Sequence, residues 1–336
     1  MSAPPSLDSA LSFLQDDLKA VERALVDGTA SIAGLIPEVA EYTLGGGGKR
    51  IRPILVLLGA RLFGYAGPRA IQIAAAAEWL HSASLLHDDV VDGADTRRGR
   101  ASAAALYGAR QAVLVGDYLY AVLCRTLVED GNRAILARFA ETIGHMAEGE
   151  VLQLTRSFAP GLDEATALEV IGRKTSSLLA TAVESGAILG GAKPDEQRAL
   201  REYGWHVGLA FQLVDDALDY TGTSGELGKQ PLADLSEGKL TLPLLLALQE
   251  CAGSERAELL ADVEAFARSA AHGRAPAAER LAHVSQAVER HGGAARTLAR
   301  ARRLVEEAIA RLEPFEDGPP RRALIELARF VVARRS

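Results

Sequence analysis

The chain has 336 residues, 48% of them hydrophobic and only 5% aromatic, and a formal net charge of −7 at pH 7. That acidic balance excludes the basic excess with which nucleic-acid binders meet phosphate, and the low aromatic share favours a closely packed helical core. Its two cysteines, Cys124 and Cys251, are too far apart in sequence for a disulfide framework or a thiolate metal motif, which fits a reducing cytosol.

Residues 1–25 carry Asp8, Asp16, Asp17 and Glu22 where a signal peptide would have a basic start and an apolar run. The richest apolar run, 240–248, contains Pro243 and is too short to span a bilayer. The expectation is a soluble, cytoplasmic protein with no transmembrane segment and no nucleic-acid partner.

Leu7, Leu11, Leu14, Leu18, Val21 and Leu25 recur at three-and-four spacing, which predicts an amphipathic helix over 7–25. Another short helix is expected over 31–44. It ends at the glycines 45–48, whose permissive backbone lets a ligand approach closely. Alone these would read as a helix stop. Lys49, Arg50 and Arg52 follow at once, before Pro53 opens the next helix, so the bend reads as an anion cradle.

Pro68 starts a helix that runs past the alanines 74–77, Glu78 and His81 to Asp88, Asp89 and Asp92, and Gly93 ends it. At about 3.6 residues per turn, Asp88 and Asp92 lie one turn apart on one face, with His81 near the same line two turns upstream. Two carboxylates beside apolar residues repel each other, and a shared divalent cation relieves that cost. Arg97 and Arg98, just beyond, supply forked donors suited to phosphate oxygens.

Helices are predicted over 109–129, 133–154, 163–190 and 194–220, then from Pro243 to Arg335 with breaks near Gly253, Gly273, Gly292 and Gly318. Few stretches alternate with period two, so no strands are expected, and 221–239 reads as a long loop. No linker parts two domains. The sequence Asp215-Asp216-Ala-Leu-Asp219 repeats the Asp-Asp-x-x-Asp spacing of the first acidic segment, again after an apolar helix, with Gln212 on an adjoining part of the face. Either segment alone reads as solvated surface. Together, each followed by cations, they point to Mg²⁺ ions holding one diphosphate between two motifs.

The ordered series Gly47-Gly-Lys-Arg-Ile-Arg-Pro53, His81, Asp88-Asp-Val-Val-Asp92, Arg97-Arg98, Val115-Gly-Asp-Tyr118, Glu148-Gly-Glu-Val-Leu-Gln153, Lys174-Thr175, Phe211-Gln-Leu-Val-Asp-Asp216 and Glu237-Gly-Lys-Leu-Thr-Leu-Pro243 covers nearly the whole chain. It resembles the trans-isoprenyl diphosphate synthase (polyprenyl synthetase) family, most closely its bacterial long-chain, octaprenyl-type members. The resemblance implies an all-α, single-domain isoprenoid-synthase-type helical bundle around a central cavity over 1–336, and a homodimer. It implies about three Mg²⁺ per active site. Asp88, Asp92 and Asp215 would hold them, with Asp89, Asp216 and Asp219 in support. Lys49, Arg52, His81 and Arg98 would bind isopentenyl diphosphate. Arg97, Lys174, Thr175, Gln212, Lys229 and Lys239 would bind the allylic diphosphate, and Asp234 matches an acid of the loop. That loop departs from the family pattern at Pro231-Leu232, where relatives usually have a small residue, often Gly.

Successive additions of isopentenyl diphosphate to farnesyl diphosphate would build an octaprenyl chain for isoprenoid quinones, with geranylgeranyl, solanesyl and decaprenyl products as alternatives. Small residues line the helix above Asp88: Ser84 one turn up, Ala83 beside it and Ala77 further along. Short-chain relatives place a bulky residue near Ala83 and Ser84. By resemblance, Phe139 with Leu127 closes the product tunnel deeper. An HD-type phosphohydrolase, suggested by His87-Asp88, leaves 215–219 unexplained, and His87 reads better as a packed helix histidine. A terpene cyclase would carry an Asn/Ser/Glu pattern in place of the second motif. A noncatalytic subunit of a heteromeric synthase would be expected to lose acids from one motif, and both are intact.

Overall fold

The computed structural model describes residues 7–46, 49–97, 99–156, 163–221, 232–236, 239–271 and 277–333. The order is α1 (Leu7–Ala10), α2 (Gln15–Gly28), α3 (Leu35–Leu44), α4 (Ile51–Leu62), α5 (Pro68–Val91), α6 (Ala103–Tyr107), α7 (Ala109–Asp130), α8 (Arg133–Arg156), α9 (Glu164–Ile171), α10 (Ser177–Leu189) and α11 (Pro194–Thr221). Helices Ala233–Ser236, Leu242–Glu250, Gly253–Ala271, Ala278–Arg290, Gly293–Ala310 and Pro319–Ala333 follow. The all-α expectation is met, with one departure among the described residues. Strands β1 (Thr96–Arg97) and β2 (Arg100–Ala101) form an antiparallel hairpin that pairs Thr96 with Ala101 and Arg97 with Arg100. Two residues per strand leave no period to read in the sequence.

The expected helix over 7–25 is broken by a 3₁₀ turn, Ser12–Leu14. Leu11 and Leu14 nevertheless stay buried, so the spacing located the buried face but not the break. The second helix begins at Leu35 and not at Ser31, whose Oγ accepts from the Ala33 N–H at 3.2 Å and so competes with helix formation. Pro53 sits inside the first turn of α4, where a missing N–H costs no hydrogen bond.

The chain divides into two compact units. Residues 1–144, 177–205 and 307–330 form the first, and 145–176, 206–306 and 331–336 the second. In the first, α4 and α10 touch backbone to backbone. A Cβ on Gly59 would stand 2.3 Å from the Val183 carbonyl oxygen, and one on Gly186 2.1 Å from that of Val56. The apolar side of α5, including Ala74, Ala77, Leu80, Ala83 and Leu86, is fully buried. Helix α7 has the length and composition to cross a bilayer. Its Ala112, Val115, Leu119, Val122, Leu123 and Leu127 are buried within the protein, and 39% of its apolar stretch is buried in all. The second unit closes around Leu244, Leu248, Leu259, Val263, Phe266, Val284 and Val288.

A buried acid of the first unit gives its stability a pH dependence. Glu184 is 2% exposed and accepts from Arg138 Nε at 3.1 Å. Burial pushes its carboxyl above the usual range, with Arg138 and Arg201 opposing. The folded chain therefore holds this proton at pH values where the unfolded chain releases it, and stability falls as pH rises from the ordinary carboxylate range through the folded value. Glu184→Gln is expected to flatten that fall. The Tm difference between mildly acidic and neutral buffer should narrow by roughly 2–4 °C, the shift expected for about 1 kcal/mol in a large domain. An unchanged or steeper slope would count against a Glu184 carboxyl raised by burial.

Candidate active site

The first acidic segment owes its geometry to the end of α5. The Asp92 N–H donates to the Asp88 carbonyl at 2.8 Å, and Gly93, at φ 61°, turns the chain out of the helix. Asp88 and Asp92 thus remain one turn apart, both half-buried. Asp89, on the adjoining face of the helix, is only 3% exposed. The β1–β2 hairpin folds Arg97 back onto it, and Arg97 Nε donates to Asp89 Oδ1 at 2.5 Å. The buried carboxylate fixes the guanidinium at Asp89, the residue next to Asp88.

The cation-rich bend is built differently from the sequence expectation. Arg50 occupies the left-handed region, at φ 49°, and its guanidinium is spent inside the protein. It donates to Glu22 at 2.6 and 3.0 Å, to Glu78 Oε1 at 2.9 Å and to the Leu44 carbonyl at 2.9 Å. Arg50 is therefore a fastener between α2, α3 and α5, not a third ligand of the cradle. Its neighbours remain: Lys49 Nζ lies 4.2 Å from the centre of the Phe330 ring, and Arg52 is half-buried in the first turn of α4. Because Glu78 is one turn before His81 on α5, this fastening holds the Lys49–Arg52 segment at the level of His81. From there to Asp88 the helix rises roughly 10 Å.

His87 is a packed histidine, as expected. Its ring lies 5.6 Å from that of Tyr120, and Nε2 is 3.2 Å from the Val113 carbonyl. Gly116 makes room for it, since a Cβ there would stand 2.3 Å from Nε2. Ala77 and Ala83 are fully buried, and Ser84 Oγ donates to the His81 carbonyl at 2.8 Å. Phe139 is also fully buried and Leu127 is 3% exposed.

In the second unit, the predicted helix over 163–190 contains a π turn at Gly172–Ser176. This widened turn carries Lys174 and Thr175 and presses on backbone to either side. A Cβ on Gly149 of α8 would be 2.8 Å from Lys174 N, and one on Gly208 of α11 2.5 Å from Ser176 Cα. Such turns often mark functional positions in helices. Lys174 forms a close ion pair with Glu150, while Thr175 Oγ1 donates to Gln212 Oε1 at 3.3 Å. Gln212 Nε2 donates in turn to Asp216 Oδ1 at 2.9 Å.

This chain of contacts enters the second acidic segment. Asp216 and Asp219 are 2% and 0% exposed, and Asp215 is half-buried. The Asp234 N–H donates to Asp219 Oδ2 at 3.2 Å and the Leu232 N–H to the Asp219 carbonyl at 3.0 Å. Leu232 adopts φ 60°, a conformation that costs a non-glycine residue about 1–2 kcal/mol. Burial of its side chain and the bond to Asp219 offset that strain. Lys239 is tied in by its N–H to the Asp234 carbonyl at 2.8 Å. Burial, and then the carboxylates of Asp234, Asp215 and Asp219, push the Asp216 carboxyl well above its usual range, against the hydrogen bond from Gln212. An all-oxygen, charge-crowded donor set of this kind suits a hard divalent cation.

Lys229 and Arg98 lie outside the described residues. Sequence reasoning missed Glu22, Glu78 and Glu150 as partners of the cations, and Gly149 and Gly208 as the walls of the π turn. The sequence signals were a glutamate on an otherwise apolar stretch of α5 and the motif Glu148-Gly-Glu-Val-Leu-Gln153, which holds Gly149 and Glu150.

The family model described as Polyprenyl synthetase matches residues 34–277. The chain is 39% identical over 329 residues to octaprenyl diphosphate synthase of Escherichia coli (strain K12), covering 98% of this chain and 99% of that one. It is 38% identical over 333 residues to all-trans-nonaprenyl-diphosphate synthase (geranyl-diphosphate specific) of Rhodobacter capsulatus, covering 97% and 99%. The crystal structure of a polyprenyl synthase from Caulobacter crescentus CB15, complexed with calcium and isoprenyl diphosphate, is 40% identical and covers 100% of both chains with a TM-score of 0.92.

Proposed function

We propose, from the premise that this chain belongs to the polyprenyl synthetase family and is a long-chain trans-prenyl diphosphate synthase, that it condenses isopentenyl diphosphate successively onto farnesyl diphosphate to give octaprenyl diphosphate. The observation that carries the reading is the half-buried Asp88–Asp92 pair with Arg97 fixed beside it by buried Asp89. Asp88, Asp92 and Asp215 hold Mg²⁺, and buried Asp216 and Asp219 add negative charge behind Asp215. Bound there, Mg²⁺ neutralises the charge that builds on a departing diphosphate.

The chain's own groups share that task. Arg97, Lys174, Thr175, Gln212, Lys229 and Lys239 bind the allylic diphosphate, so that its C–O bond ionises to a carbocation. Lys49, Arg52, His81 and Arg98 hold isopentenyl diphosphate, whose double bond attacks that cation. The proton then lost passes to the released diphosphate. Exclusion of water protects the cation until attack.

The whole chain works as one catalytic unit in the cytoplasm and supplies side chains for isoprenoid quinones. Its partner is a second copy of itself. Leu114 and Val128 of α7, each 67% exposed, and Leu136 of α8, 38% exposed, support an apolar contact surface. The buried Phe139, with Leu127, sets product length, and Ala77, Ala83 and Ser84 leave the growing chain room.

A second reading, a nonaprenyl product from a geranyl primer, has the name of the Rhodobacter capsulatus relative in its favour. Incubation with isopentenyl diphosphate, Mg²⁺ and either farnesyl or geranyl diphosphate decides between them when chain length is read by mass spectrometry. Octaprenyl diphosphate is expected with farnesyl as the better primer, and Phe139→Ala is expected to lengthen the product. A nonaprenyl product would replace the first reading with the second, and an unaltered length in Phe139→Ala would remove that residue as the floor.

A further inference from the structure

We infer that Cys251, Glu255 and His291 form a second cation site, distinct in chemistry from the acidic segments and suited to a borderline-soft divalent ion such as Zn²⁺. The three residues stand at three helix ends within one unit. Cys251 ends Leu242–Glu250, Glu255 lies in the first turn of Gly253–Ala271, and His291 closes Ala278–Arg290. The thiol sulfur, a carboxylate oxygen and an imidazole nitrogen all lie within 4.8 Å of one another. Sulfur, nitrogen and oxygen donors converging in this way are those Zn²⁺ takes, and three protein ligands leave a fourth position for water.

The site adds the Cys251 thiol as a third donor to a His–Glu pair. His291 Nε2 is buried and lies 3.1 Å from Glu255 Oε2. Two donor atoms at that distance match neighbouring ligands of a common ion, for which an N···O separation of roughly 3.3 Å follows from bond lengths of about 2 Å. The other oxygen, Oε1, is held by Arg290 Nη1 at 2.5 Å, which fixes the carboxylate with Oε2 towards His291. Arg256, the other nearby guanidinium, is engaged by the Leu248 carbonyl. Cys251 is 5% exposed, and a thiolate plus a carboxylate would neutralise a divalent ion there. Binding converts the Cys251 thiol to a metal thiolate and releases its proton to the solvent. The ion would tie three helix ends of the second unit together.

Co²⁺ separates this site from the acidic segments, because only a cysteine ligand gives a thiolate-to-metal charge-transfer band. The full chain carrying Cys124→Ser, which removes the exposed thiol, is titrated with Co²⁺ and followed by absorption. The expected result is a charge-transfer band that saturates at one equivalent, is displaced by Zn²⁺ but not by Mg²⁺, and is lost in Cys251→Ser and weakened at least tenfold in affinity in His291→Gln. Both substitutions should leave condensation activity and helical content unchanged. Absence of the band in the parent, or its persistence in Cys251→Ser, would overturn the assignment.

Discussion

Asp88→Ala lowers turnover with farnesyl and isopentenyl diphosphates by about 10²–10³-fold or more, and Asp215→Ala does the same, while both variants keep their helical content. The magnitude follows from what each carboxylate is asked to do. An ionising allylic diphosphate accumulates charge on oxygen, and removing one preorganised electrostatic partner of such a centre costs roughly 3–4 kcal/mol. Neither aspartate is part of the core, since both are half-buried, so the loss should be catalytic and not structural. Asp89→Ala is the informative contrast. Its carboxylate is buried against Arg97, so its removal should disturb Arg97 and raise the KM for the allylic substrate, with a loss of stability that Asp88→Ala does not share. Near-parental condensation by purified Asp88→Ala and Asp215→Ala would sink the functional assignment, whatever the product length.

The sequence reading located the long helices but missed α6, the hairpin and helix Ala233–Ser236 inside the expected loop 221–239, and with them the devices that aim the site. Apolar spacing and glycine or proline breaks found α5, α7, α8 and α11 to within a few residues, because these helices bury one face and are punctuated by residues with few backbone options. The π turn at Gly172–Ser176 was invisible, since it arises where the chain passes between Gly149 and Gly208, two positions remote in sequence. Leu232 is the converse case. Its place in the loop already departed from the family's preference for a small residue, and the structure gives it the left-handed backbone that glycine adopts most easily. Composition also argued against a thiolate metal motif, because Cys251 has no cysteine near it in sequence. Glu255 opens the next helix and His291 ends the one after that, so only folding joins them.

Arg50→Ala is expected to be the most damaging single change outside the acidic segments. Read in the sequence, Arg50 is one of three cations around a phosphate cradle, and its loss should weaken binding alone. Its side chain is instead half-buried beside Glu78, whose own side chain is 7% exposed, and it also bridges Glu22 and the Leu44 carbonyl. Removing it leaves Glu78 as an uncompensated buried charge, which costs about 3–5 kcal/mol. The left-handed backbone at Arg50 then loses its anchor, and Lys49 and Arg52 on either side lose their fixed direction. Tm should fall steeply, and the KM for isopentenyl diphosphate should rise roughly tenfold, the equivalent of about 1.4 kcal/mol. Arg50→Lys keeps the charge but not the fork that grips Glu22 and Glu78 together, so it should recover only part of the stability. Arg50→Met combined with Glu78→Gln separates the two roles. With the charge and its partner removed together, most of the stability should return while the KM for isopentenyl diphosphate stays high. Recovery of both would mean that Arg50 only neutralises Glu78, and recovery of neither would place its main contribution in the contacts to Glu22 and Leu44.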